Sequence, residues 1–208
     1  MRCAVSERSG FGIDSGRLPW LGTLPEAGIE FVAVPDSGIR LARHLEFRNV
    51  DAVLLAEGFE TCAPGAGIQD GSDFLHHRTE RELVRFARGR RLPIVGIGHG
   101  AEFLGLYFGA QLRPYPDRPP GNRLLDLRLA PWVGSTEATV QPAGRMLCDP
   151  RKFPAVLAPF AWDEDGNIAG FVHREEPILG IHWQPGGPDD RAAELILEEL
   201  HGSRRIAS

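Results

Sequence analysis

Short apolar runs alternate with longer amphipathic segments through the first half of the chain. Residues 3–5, 28–35 and 50–55 each predict a strand. Residues 18–27 predict a short helix between the first two, ended by Gly28 in the position of a helix C-cap. Over residues 73–90, Leu75, Leu83 and Phe86 fall near one face, while arginine and glutamate occupy the others, the pattern of a surface helix. Residues 93–97, Pro-Ile-Val-Gly-Ile, are almost wholly apolar, as a strand buried on both faces of a parallel sheet must be. They pass without a spacer through Gly98, His99 and Gly100 into an apolar helix over residues 101–108. Strand, helix, strand and helix at these intervals predict a parallel sheet with helices on both faces.

The second half is patterned differently. Residues 113–121 form a proline-rich loop, and residues 124–140 are irregular with strand-like pieces. Strands follow over residues 155–161, 168–173 and 178–183, the first two separated by the turn-forming run Asp163-Glu164-Asp165-Gly166-Asn167. A last helix over residues 189–200 turns Ala192, Leu195, Ile196 and Leu200 toward the sheet. No repeat, low-complexity tract or linker interrupts the pattern, so residues 1–208 read as one domain.

Composition narrows the classes of function. A chain of 208 residues is long enough to bury a sizeable core in a single α/β domain. Its net charge is only −5, with both signs interspersed, which leaves no basic face for a nucleic-acid backbone. No apolar stretch reaches the length of a membrane span, and residues 1–8 lack the long apolar region of a secretory signal. Cys3, Cys62 and Cys148 are an odd number without metal-ligand spacing, so a reduced, cytoplasmic protein is expected.

Residues 96–100 carry the strongest chemical signal. A strand that turns at once into a helix, with glycine on both sides of the corner, holds one residue in a strained conformation at the carboxyl edge of the sheet. Such a corner displays a nucleophile and aims the first helix amides at the reacting group. The run Pro93-Ile94-Val95-Gly96-Ile97-Gly98-His99-Gly100-Ala101-Glu102-Phe103-Leu104-Gly105 resembles the nucleophile segment of class I glutamine amidotransferases. The likeness is greatest to the γ-glutamyl-γ-aminobutyrate hydrolase branch, whose segment reads roughly P-[VI]-L-G-I-C-R-G-x-Q. Glu176-Pro177-Ile178-Leu179-Gly180-Ile181-His182-Trp183-Gln184-Pro185-Gly186 resembles that branch's P-I-L-G-[VI]-Q-W-H-P-E. Asp51-Ala52-Val53-Leu54-Leu55, Arg78-Thr79-Glu80 and the Trp162–Ile168 segment agree in order, so the likeness spans nearly the whole chain. It implies a three-layer α/β/α, flavodoxin-like sandwich with a mostly parallel central sheet.

The same likeness leaves the catalytic positions empty. Gly98 stands in the slot of the family's cysteine nucleophile, Gln184 in that of its histidine and Gly186 in that of its glutamate. A thiolate attacks an amide carbon because an imidazole takes its proton and a carboxylate orients that imidazole. Glycine and glutamine do neither, so a thiol glutaminase is not expected. The resemblance implies that the amides of Gly98 and His99 keep half an oxyanion hole, with Gly58, in the loop after the strand at residues 50–55, at the other half and Trp183 beside the pocket.

Three polar residues remain as candidate catalytic groups. His99 follows the elbow, where the family often has arginine. Glu102 occupies the slot of a substrate-binding glutamine, where a carboxylate favours an ammonium or guanidinium. His182 shares a strand face with Gln184, opposite Trp183, and its imidazole is placed to act as a displaced base. Each has a plain structural reading too: a turn cap, a solvated partner of an arginine, and a satisfied sheet histidine. Cys62 reads more readily as an idle thiol than as a migrated nucleophile. A metal shared by His99, Glu102 and His182 lacks a clear fourth ligand, and His76, His77 and Asp73 make a weaker set, so neither metal nor cofactor is expected.

Two functions of different class fit these residues. One is a repurposed enzyme that acts on a small amine-bearing, γ-glutamyl or other amino-acid-derived molecule, with His182 or His99 as acid–base groups and water as nucleophile. The other is an inactive pseudo-glutaminase, a binding or regulatory subunit beside a synthetase or ligase partner. The first is preferred because histidines and a carboxylate, rather than inert residues, cluster where the triad is gone. Neither nucleic acid nor membrane is expected as a partner.

Overall fold

In the computed structural model, which describes residues 1–7, 28–35, 41–55, 71–114, 125–134, 136–143, 146–185 and 191–201, the apolar runs become strands of one mixed sheet. The first half comprises β1 (Arg2–Glu7), β2 (Glu30–Pro35), α1 (Leu41–Phe47), β3 (Ala52–Leu55), α2 (Gly71–Arg90), β4 (Ile94–Ile97) and α3 (His99–Tyr107). The second comprises β5 (Leu112–Pro114), β6 (Leu125–Leu129), β7 (Glu137–Pro142), β8 (Met146–Cys148), β9 (Leu157–Trp162), β10 (Ile168–His173), β11 (Ile178–Ile181), β12 (Trp183–Gln184) and α4 (Ala192–Leu200). The helix expected over residues 18–27 lies outside the described residues, as do Gly58, Cys62 and Gly186.

The expected mostly parallel sheet is instead parallel in one half and antiparallel in the other. Strands β2, β1, β3, β4 and β11 lie side by side in parallel. From β11 onward, β10, β9, β6, β7 and β12 follow in antiparallel pairs, and β8 and β5 branch from β10. Connection length explains the switch. Parallel neighbours need a long crossover, supplied by α2 between β3 and β4, whereas short turns join the antiparallel β9 to β10 and β10 to β11. The β9–β10 turn is fixed by Asp163, whose carboxylate accepts the Asn167 amide at 2.7 Å and the Asn167 side-chain Nδ2 at 2.9 Å.

Alternation along each strand divides the core between the two faces. Val53 and Leu55 of β3 join Leu45, Leu83, Ala87 and Leu104 from α1, α2 and α3 on one side. Ala52 and Leu54 join Leu195, Ile196 and Leu200 of α4, with Phe160 and Trp183, on the other. The inward face of α2 is set by Leu83, Val84, Phe86 and Ala87; Leu75, expected on it, is 41% exposed. A bidentate ion pair, with Arg88 Nε and Nη2 donating to Glu176 at 2.7 and 2.6 Å, ties the end of α2 to the β10–β11 turn.

The contact that positions the elbow is between backbones. A Cβ on Gly96 would stand 2.6 Å from both the Gly100 oxygen and Leu104 Cδ1, and one on Gly100 would overlap the Leu55 carbonyl. Glycine at both positions lets α3 lie directly on β3 and β4. Gly100→Ala should therefore destabilise the protein by on the order of 3 kcal/mol through forced displacement of α3. Gly89, within α2, has open space around its Cβ position, so Gly89→Ala should stabilise by about 0.5 kcal/mol. Urea denaturation of both variants checks the pair; a neutral Gly100→Ala would show that the helix seats some other way.

Candidate functional site

The strand-to-helix corner falls on Gly98, whose φ of 55° and ψ of −112° form a conformation that residues with a Cβ rarely adopt. Gly98 N–H donates to Ile181 O at 2.8 Å, and Gly98 O accepts the first helical bond from Glu102 N at 3.0 Å. The amide of Gly98 is thus spent on β11, which corrects its expected place in an oxyanion hole. Of the expected pair, the His99 amide remains the candidate.

His99 opens α3 and turns toward α2. On α2, the adjacent His76 and His77 each lie about one turn before Glu80. His99 Nε2 lies 3.4 Å from Glu80 Oε2, His76 Nε2 lies 3.5 Å from Glu80 Oε1, and His77 Nδ1 lies 3.6 Å from Glu80 Oε2. Glu80 is fully buried, His99 and His76 nearly so, and His77 is partly open to solvent. The imidazoles of His76 and His77 stand 5.8 and 5.6 Å from that of His99. Burial works to raise the Glu80 carboxyl, but the charge and hydrogen bonds of His99 and His76 outweigh it and hold the carboxyl down, at about 2. Three imidazoles thus surround one ionised, buried carboxylate next to the elbow. His99 Nδ1 has no hydrogen-bond partner among the described residues.

The other two expected groups meet at β8, inside the core. Glu102 is 1% exposed, and its Oε1 accepts the Met146 amide at 2.9 Å. His182 is fully buried, lies 6.1 Å from the Phe171 ring, and places Nε2 3.7 Å from Cys148 Sγ. Burial pushes the His182 imidazole down to about 3, although a hydrogen bond to the Met146 backbone works the other way. Burial, reinforced by the Glu102 charge, pushes the Cys148 thiol up to about 12. Both are neutral near pH 7, so the contact joins a thiol to an imidazole, not a thiolate to an imidazolium.

Trp183 faces away from His182 into the opposite core and packs edge-on against Phe160 at 6.1 Å. Gln184 is half-buried in β12, paired in register with Gln141. The structure therefore brings His99 together with His76, His77 and Glu80, and sets Glu102 with His182 and Cys148. Sequence reasoning overlooked Glu80 and Cys148 as site residues. The four-residue spacing of His76 and Glu80 on an amphipathic helix is the signal that was available for Glu80.

No family model matches the sequence, and no curated protein matches it. Solved structures do. A candidate GMP synthase component from Thermoplasma acidophilum superposes with a TM-score of 0.70 over 98% of this chain and 93% of its own, at 18% identity. A glutamine amidotransferase from Thermotoga maritima superposes with a TM-score of 0.66 over 88% of this chain and 75% of its own, at 16% identity. Likeness at such identities establishes a glutamine amidotransferase-like α/β fold, and chemistry has to be read from the site itself.

Burial of His182 has a measurable consequence. The folded residue stays neutral down to about pH 3, whereas the unfolded chain takes up the proton near the ordinary 6.5. Its contribution to stability is therefore complete above pH 6.5 and is lost as the pH falls toward 3, at about 1.4 kcal/mol per pH unit. Urea denaturation from about pH 7 to about pH 4 should show a fall in wild type steeper than in His182→Asn by close to that slope. Equal slopes would mean that protons reach the folded imidazole.

Proposed function

We propose that this protein is a triad-less glutamine amidotransferase-like enzyme, related to the γ-glutamyl hydrolase-like branch. In this reading it binds a small amine-bearing or amino-acid-derived molecule beside the elbow and acts on it by acid–base chemistry without a thiol. The buried Glu80–His99 pair carries the reading: a carboxylate-tethered imidazole sits one residue past a glycine that offers no nucleophile. The Cys3 and Cys148 thiols do not replace it, since burial pushes both up to about 12.

Water is then the nucleophile. His99 Nδ1 takes a proton from water as the water oxygen bonds to the amide carbon of the substrate. The carbon–nitrogen bond breaks, and the same proton passes to the departing nitrogen, which leaves as an amine. Glu80 holds the ring in place and stabilises the imidazolium formed between the two transfers, the part that a carboxylate plays toward histidine in a hydrolytic triad. The Glu102 carboxylate behind the corner adds negative potential that favours a cationic amine over a neutral amide side chain.

A second reading is a pseudo-glutaminase that binds a ligand, or a synthetase or ligase partner, without turnover. It is favoured by the core positions of Glu102 and His182, which are occupied with packing and with β8.

Mass spectrometry of purified protein incubated with γ-glutamyl amides and amino-acid conjugates, with glutamine as the expected negative, separates the two. The enzyme reading expects turnover of at least one panel member, reduced by about 100-fold or more in His99→Ala. Turnover that survives His99→Ala would remove His99 from the chemistry. Silence of the wild type across the panel would leave the pseudoenzyme.

A further inference from the structure

We infer that His76, Glu80 and His99, with His77 beside them, form a binding site for a divalent transition metal of the zinc class. The distances are the first ground. A charge-assisted hydrogen bond between nitrogen and a carboxylate closes to about 2.7–2.9 Å. The three imidazole–carboxylate separations at Glu80 are 3.4, 3.5 and 3.6 Å, all longer than that. Ligand atoms held tetrahedrally at about 2.0–2.1 Å from zinc stand about 3.4 Å from one another. One ligand atom from each of His76, Glu80 and His99 lies within 4.8 Å of the others, so a single ion is in reach of all three.

The donor set is the second ground. Two imidazoles and one carboxylate are ligands that zinc accepts, and they leave a position for water or a fourth side chain. His77, 28% exposed, stands on the solvent side of the cluster with Nδ1 3.6 Å from Glu80 Oε2. Preorganisation is the third. His76 and Glu80 stand four apart on one helix, and His99 is fixed by the elbow, so little ordering is left for an ion to impose. Glu80 is fully buried, and its Oε1 makes no ordinary hydrogen bond among the described residues.

The site does not depend on turnover at the elbow. Untagged full-length protein, stripped with chelator, would be titrated with Zn²⁺ by calorimetry and with Co²⁺ by visible absorption. The expected result is saturable binding of a single Zn²⁺ per chain, with Co²⁺ giving the intense bands of a four-coordinate site that Zn²⁺ displaces. Glu80→Gln and His99→Asn should each weaken binding by about 100-fold or more, since even losing a ligand's supporting partner costs about 10–100-fold. His44→Asn, exposed on α1, should leave it unchanged. Absence of saturable binding in wild type, or equal affinity in wild type and Glu80→Gln, overturns the site. The Co²⁺ spectrum is read on wild type and decides the matter even where a variant fails to fold. Zinc binding without turnover keeps this site and removes the enzyme reading; turnover by stripped protein that binds no zinc does the reverse.

Discussion

The carboxyl edge of the sheet is organised by the closeness of two backbones, α3 and β3, at Gly100. Leu55 contributes its carbonyl group where a side chain would otherwise stand, and Gly96 removes the corresponding obstacle on β4. With the helix seated this low, the chain must turn within a single residue, which Gly98 does at positive φ. The bond from Gly98 N–H to Ile181 O then locks the corner to β11. His99 owes its direction to that sequence of constraints. It is the first residue beyond the turn, and among the described residues the helix its ring meets is α2.

The carboxylates of Glu80 and Glu102 are both buried near the start of α3, and the protein handles them in different ways. Glu102 Oε1 accepts a backbone amide of β8, a neutral donor that leaves the site with negative potential. Glu80 is instead surrounded by three imidazoles, from His76, His77 and His99. The first arrangement is a fixed structural bond. His182, whose imidazole is sealed against Phe171 and Cys148, belongs with the fixed structure.

Much of the fold could be read from the sequence because its central strands are apolar on both faces. Residues 93–97 and 178–183 need no alternation to be recognised, and the glycines after Ile97 announce the corner. Helix α1 escaped notice because it is short, and its buried Leu41 and Leu45 are interspersed with the polar Arg43, His44 and Glu46. Strand β7 alternates buried Ala138 and Val140 with exposed neighbours, but such small residues give a weak signal. The sense of the second half was lost because apolar runs report burial, whereas direction is set by the turns between them. At the site, His76 and His77 were visible as a pair, yet nothing local joins them to His99. That contact arises where α2 packs beside α3, and sequence spacing carries no trace of it. The same holds for Cys148 and His182, which meet across 34 positions.

Strand β11 is the seam between the two halves: it bonds in parallel to β4 on one side and antiparallel to β10 on the other. Among the described residues no pairing links β4 to β10 directly, so the halves have no hydrogen-bonded connection at the sheet's centre until residues 178–181 take their place. A nascent chain that has already made the elbow therefore carries β4 with one edge open until residues 178–181 emerge. Folding of the sheet waits on β11, which follows β4 by a long stretch of chain, a topology that favours slow closure and makes the unfilled edge a point of capture for chaperones or for another copy of the chain.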